Sequence, residues 1–292
     1  MKRTSTIWKT VNTMGTAAAL WLLLPAHPAL AVSVPLGAAE GWAILQIGNG
    51  KIDMSNPQGQ VAGNVGVSQY GEIHGSGPVI QGDLFLGTGA AAQFSGNSGV
   101  TALIHPDAAA QLLLTQARSD AIAASAAAAA LKATSPLNEI SSSMTLGPGV
   151  YDLSSINLNH ETLTLNGAGD YTFNVSGGMV FNTGRVILTG GATEANVLFN
   201  VTGTKSVAFT GGGNDSELHG IILAPDAKVQ LSPGLIVGEI IGGLDISIVS
   251  GAKVQGVEKE KKQHKVPDTG SSLLLMTLGL GFLASAKRKF LA

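Results

Sequence analysis

The chain has 292 residues, no cysteine and a formal net charge of −2. That near-balance hides a division: residues 32–257 carry 16 acidic against 7 basic side chains, a net charge near −9, and the remaining basic residues sit at the two ends. A body this acidic is excluded as a natural partner for nucleic acid or an anionic membrane surface, and without disulfides it must rest on its own core and backbone ladders.

The first element is an address. Lys2, Arg3 and Lys9 precede a short apolar run at 17–24 and then Ala29-Leu30-Ala31. A basic start, a greasy middle and small residues at −3 and −1 predict a signal peptide over 1–31, cut after Ala31, because the run is too short to span a bilayer comfortably. From Leu36 the body opens with GWAILQIGNGKI, a strand pair around Gly-Asn-Gly. Val61-Ala62-Gly63-Asn64 returns 19 residues later as Ile80-Gln81-Gly82-Asp83, and Ile73-His74-Gly75 reads as the same corner between them.

Residues 107–133 break this pattern. The stretch is alanine-rich and free of Gly and Pro, with Pro106 and Asp107 suited to a helix start and Ser135-Pro136 to its end. About 27 residues make a helix of roughly 40 Å. Leu113, Ala117 and Leu131 are expected on its packed side, with Ala124 close to them.

Beyond the helix, short apolar strands alternate with Gly, Asn and Asp corners through residue 257. Phe173-Asn174-Val175-Ser176-Gly177 recurs as Phe199-Asn200-Val201-Thr202-Gly203, and an apolar-x-Gly corner recurs every 18 residues at Gly220, Gly238 and Gly256. A fixed period near 20 with glycine corners is the mark of a parallel β-solenoid. The expected fold is mainly β, a right-handed parallel β-helix of eight or nine coils, again about 40 Å tall at roughly 4.8 Å per coil. The long helix would lie alongside, and Ile73, Ile80, Leu163, Leu165, Val175, Val201, Ile222 and Ile236 would point inward. One solenoid domain is therefore read over 32–257.

LGAAEGWAIL at the head, the single Ala-rich helix, and GPGVYDLSS, LTLNGAGDYTFNVSG and ANVLFNVTG in the later coils resemble the bacterial ice-binding-like solenoid family. GIILAPDAKVQLSPGLIVGEIIGG is also similar to choice-of-anchor A surface domains. The resemblance spans about residues 34–257 and implies the fold more strongly than a function.

The tail is a second address. Residues 258–265 (EKEKKQHK) form a charged linker, followed by Val266, Pro267, Asp268, Thr269 and Gly270, an apolar stretch at 271–286, and the basic cluster Lys287, Arg288 and Lys289. This tripartite segment (266–292) resembles the PEP-CTERM class of bacterial sorting signals, and less closely a Leu-Pro-x-Thr-Gly sortase signal, with Val266 replacing leucine. It implies an exosortase-type or sortase-type enzyme as partner, contact with the membrane, and a cell-surface or extracellular location.

Candidate chemistry is sparse. Ice binding needs a flat face with Thr, Ser or Asn recurring at the coil spacing. Thr189 and Thr193, with Thr202 and Thr204, come nearest to it, but Arg185, Glu194, Lys205 and Asp215 interrupt them, so ordinary strand threonines fit better. Catalysis would need paired carboxylates or a metal cluster. Asp215, Glu217 and His219, His160-Glu161 and Asp226-Lys228 offer groups, yet all lie beside Gly-rich corners where Asp and Asn form turns. His74 likewise reads as a surface residue, and Asn64 and Asp83 as turn formers rather than calcium ligands. No cofactor or metal motif is present. The sequence thus points to a non-catalytic exported surface or matrix protein, structural or adhesive. An ice-binding or polysaccharide-binding module is the alternative, and a polysaccharide-degrading β-helix enzyme is a more remote one.

Overall fold

The computed structural model describes residues 33–55, 58–211 and 216–257. The expected signal peptide, the charged linker, the sorting motif at 266–270, the apolar stretch and the basic cluster lie outside the described residues, as does Asp215.

The described chain is a parallel β-solenoid of triangular section with one long helix on its flank. All of its strand pairings are parallel, and nine strands stack on one of its faces. Each coil turns through three short strands, typically of 3 to 5 residues. Alternation along a strand sends every second side chain inward, and the eight residues expected to point inward are all fully buried. Aromatic rings stack from coil to coil within this core. Tyr151, Phe173 and Phe199 form one column, with centroids 5.1 and 4.8 Å apart, and Phe181 and Phe209 another at 4.5 Å.

Leu218, Ile236, Val254, Val61 and Ile80 form a single buried column in register. The glycine corner two residues on is obligatory in the long strands. Gly220 and Gly238 take φ of 141° and 145°, and a Cβ on Gly238 would lie 1.9 Å from the Gly220 carbonyl oxygen. Ile73-His74-Gly75, read from sequence as another such corner, instead lies mid-strand, with Ile73 paired to Ile52 on a different face.

The column also exposes a feature of the topology that the period does not reveal. Its order runs from Val254 back to Val61. The chain starts in the middle of the stack, winds three coils to one end, and crosses to the opposite end through the helix. It then winds back until its last strands pair with its first: Ile240 with Ile44, Ile246 with Ile52, and Val254 with Val61. Strand Ile44–Gln46 thereby completes the layer that Ile246–Ile248 and Lys253–Gln255 begin.

The helix, α1 (Ala108–Ala129), starts where Asp107 accepts a hydrogen bond from the Ala110 amide at 3.0 Å. It is shorter than the expected 107–133. Its 22 residues reach about 33 Å, close to the roughly 38 Å height of nine strands. The buried positions are Ala110, Leu114, Ala117, Ala121, Ala124 and Ala128, a 4-3-4-3-4 spacing that forms one narrow seam. They rest on Leu45, Leu198, Ile221, Leu223 and Ile241 of what we term the helix face, together with Trp42 and Leu36 of the N-terminal segment. Ala117 and Ala124 pack as expected. Leu113 does not: it is 38 % exposed, and Leu114 takes the seam. Leu131 falls beyond the helix and is half-buried.

Polar side chains fix the helix as well. Asn174 donates to the Ala128 carbonyl at 2.9 Å, in the last turn where intrahelical partners run out. Asn200 donates to the Ser125 carbonyl at 3.0 Å and accepts from the Ser125 hydroxyl at 2.7 Å. The two asparagines are themselves linked at 3.0 Å. The repeated Phe-Asn-Val triplet is therefore one device used twice, a ring stacked inward and an amide gripping the helix outward.

Candidate functional site

With the helix face covered, two faces remain open. The second face is the nine-stranded sheet that includes Ser155–Asn159, Met179–Asn182, Val207–Thr210 and Lys51–Ser55. Its outward residues form three columns of different character. The column beside the helix face is charged: Lys228 pairs with Asp245 at 2.8 Å along it, while Lys51 and Glu72 reach across to Asp53 at 3.1 Å and His74 at 3.2 Å in the next column. Lys228 first, then the Lys51 amide, holds the Asp245 carboxyl below its ordinary value.

The middle column runs Asn157, Val180, Ala208, Gln230, Ser247, Asp53, His74 and Gln93 in register. Its first five members are uncharged. The far column holds Asn159, Asn182 and Thr210 in one run of three coils, and Ser55, Ser76 and Ser95 in another. Asn182 donates to Asn159 at 2.7 Å, which orders the amides along the stack. This neutral strip of amides, hydroxyls and small apolar groups is backed by the regular nine-stranded sheet.

The third face has Thr145 and Thr164 in register at one end, but its centre is charged. Arg185 pairs in register with Glu217, and the His219 ring lies between two carboxylates, 2.9 Å from Glu194 and 2.8 Å from Glu217. A carboxylate only accepts, so a ring with one carboxylate on each nitrogen is best matched when protonated and donating from both. Burial alone would lower its pKa; the two carboxylates outweigh burial and hold it above the ordinary value of 6.5. The ring ties the short turn Glu194–Asn196 to strand Glu217–Ala224. The stability this latch supplies is fully present below pH 6.5 and is lost as pH rises through the raised folded-state value. The thermal midpoint is thus expected to hold to about pH 6.5 and then decline, with His219→Gln removing the dependence. A wild-type midpoint flat from pH 6 to 9 would contradict the latch.

The residues singled out from sequence are dispersed. Thr189 ends a strand of the third face and donates to the Leu165 carbonyl at 3.3 Å, while Thr193 binds Asn196 at the corner that follows. Thr202 donates to the Val175 carbonyl at 3.4 Å, and exposed Thr204 shares its loop at the opposite corner of the helix face. The four do not form one surface. His160 sits at φ 62° against Asn159, Glu161 accepts from Ser143, and Lys228 pairs with Asp245 rather than Asp226. Asn64 accepts from the Asp83 amide and Asp83 from the Leu103 amide, both at 2.9 Å, so each side chain ties its corner to the next coil. No group of three or more His, Asp or Glu suited to a metal occurs among the described residues.

Sequence reasoning missed the far column because its spacing is irregular. Asn159 and Asn182 are 23 residues apart, but the following coil carries a longer loop before Thr210. Only the strand register aligns them.

The described residues thus define a parallel solenoid flanked by one Ala-rich helix, with a neutral strip on an open face. The ice-binding-like family model matches residues 47–248, and the chain belongs to that family. Solved structures similar to it include an ice-binding protein from the Antarctic ascomycete Antarctomyces psychrotrophicus, at 23% identity and TM-score 0.54, covering 78% of this chain and all of that one. The Arctic yeast ice-binding protein LeIBP matches at 20% identity and TM-score 0.60, covering 79% and 97%. The DUF3494 domain of ice-binding protein 1 from Shewanella frigidimarina matches at 18% and 0.53, covering 79% and 100%. At these identities the likeness establishes the fold. No curated protein matches the sequence. Family membership favours the ice-binding alternative over the structural or adhesive role that the acidic rod and tail pointed to. No helix among the described residues is long and apolar enough to cross a membrane.

Proposed function

We propose that this chain binds ice through the neutral strip of its second face. The observation that carries the reading is the far column, where Asn159, Asn182 and Thr210 recur in register beside Asn157, Val180 and Ala208. Amides and hydroxyls at a regular spacing of about 4.8 Å can share ordered water, and small apolar groups between them cost little to dehydrate. The reading is non-catalytic. Ice recrystallisation assays test it. The wild type is expected to inhibit growth, and Ala208→Lys or Thr210→Lys to require at least about tenfold more protein, because each forces a charge to lose its water. Thr145→Lys on the third face should change nothing. Equal potency of all four proteins would overturn the assignment, as would a wild type without activity.

Export and surface sorting belong to the same reading. The basic-apolar-small start supports secretion, and the resemblance to choice-of-anchor A domains and to PEP-CTERM tails supports processing at Val266 to Gly270 by an exosortase-type or sortase-type enzyme. The apolar stretch of about 16 residues reaches only roughly 24 Å, short of a bilayer core, which fits a transient stop. Intact-mass measurement of the surface protein is expected to find the tail removed; a mature chain ending at Ala292 would contradict sorting.

A further inference from the structure

A groove of about 430 Å³ separates α1 from the corner between the helix face and the second face, in the two coils spanning 65–81 and 84–100. Leu114 and Ile122 give it an apolar side, while Gln69, Thr88, Gln111 and Arg118 supply amide, hydroxyl and guanidinium groups. The Thr88 hydroxyl donates to Gln111 at 3.0 Å and pins the helix to the corner. No carboxylate lines the groove, although the body around it carries a net charge near −9. Arg118 is exposed and has no ion-pair partner among the described residues.

Tyr70, which follows the groove residue Gln69 in the chain, is in an unfavourable backbone state. Its φ is 59°, its ring is 65 % exposed, and its amide donates to the Thr88 carbonyl at 3.0 Å. The strand register that pairs Val67 with Leu86 makes Gly89 its counterpart in the next coil, at φ 70°. One coil thus meets the left-handed corner with glycine, as backbone sterics favour, and the other places a bulky aromatic there. His160, Thr183 and Ser250 take the same left-handed corner elsewhere in the solenoid, so what sets Tyr70 apart is the large exposed aromatic side chain it carries there. The Tyr70 ring lies directly over Gly89, where a Cβ would come within 2.7 Å of it. An exposed ring held by a strained corner, next to a groove of amides and hydroxyls with one free cation, is the complement of a sugar carrying a carboxylate.

We propose that the groove and Tyr70 form a site for an acidic oligosaccharide. The Tyr70 ring stacks on the C–H face of one sugar, Arg118 pairs with a uronate carboxylate, and Gln69, Thr88 and Gln111 meet the hydroxyls. This site lies on a different corner from the neutral strip and does not depend on ice binding.

Calorimetric titration of the full chain with a tetrasaccharide of uronic acids from alginate, and with neutral cellotetraose, tests the proposal. The uronate is expected to bind with Kd of about 1 mM or tighter, and cellotetraose at least about tenfold more weakly. Arg118→Gln should weaken uronate binding about tenfold. Tyr70→Gly should weaken it comparably while leaving the thermal midpoint unchanged or higher, because glycine relieves the corner. Loss of binding in a variant that is no less stable separates a ligand role from a structural one. Absence of uronate binding at millimolar concentration, equal affinity for cellotetraose, or full affinity in both variants would overturn the proposal.

Discussion

Replacing Ala124 by glutamate is expected to cost about 3 kcal/mol or more, whereas the same change at Ala123 should stay within about 0.5 kcal/mol. The two alanines are neighbours in α1, yet Ala124 is 2 % exposed in the helix seam and Ala123 faces solvent. The seam allows close approach because it is built from alanines with a single leucine, so a longer side chain has no rotamer that avoids the sheet. A carboxylate there would also sit among Leu198, Ile221, Leu223 and Ile241 without a cation to meet it. For a domain of this size 3 kcal/mol corresponds to a fall of about 6 to 12 °C in thermal midpoint. Equal midpoints for the two variants would mean that the helix does not pack through this seam.

The second large effect belongs to the aromatic column. Phe173→Ala is expected to cost about 3 to 5 kcal/mol, and Phe173→Leu under about 2 kcal/mol. Phe173 is fully buried between Tyr151 and Phe199, with rings inclined by only 16° and 11°. Removing the middle ring leaves a cavity that neither neighbour can close, since each is held in register by its own strand. Denaturant unfolding of both variants distinguishes this column from generic core packing. A loss below 1 kcal/mol for the alanine variant would show that the coils close over the gap.

The solenoid was legible in the sequence because its corners recur at a nearly fixed period and their glycines cannot be replaced. The inward residues followed from alternation alone. The packed side of α1 was less legible: a helix that is alanine on nearly every side has no apolar stripe to read, so Leu113 and Leu114 could not be told apart by periodicity. The acid-base groups around His219 were visible as alternating residues, but Glu194, which completes the arrangement, lies 25 positions away in the chain and is brought in by the turn before strand Val197–Val201. The neutral strip was hidden for a related reason. Thr189 and Thr193 stood out as a local cluster, whereas Asn159, Asn182 and Thr210 are unremarkable one by one and align only through coils of unequal length.

The junction of first and last strands has a consequence for how the molecule matures. Ile44 and Ile240 are paired across 196 positions of sequence, so this contact cannot form until nearly the whole domain is available. A chain delivered from its N-terminus first has three coils whose lower edge stays unpaired until residues 235–255 arrive. Loop closure over such distances makes folding slow, and the open edge is a template for any other strand in the meantime. The same ring-like closure sets the first strand, Ile44–Gln46, in the layer of the last, Lys253–Gln255, so neither lies at an end of the stack.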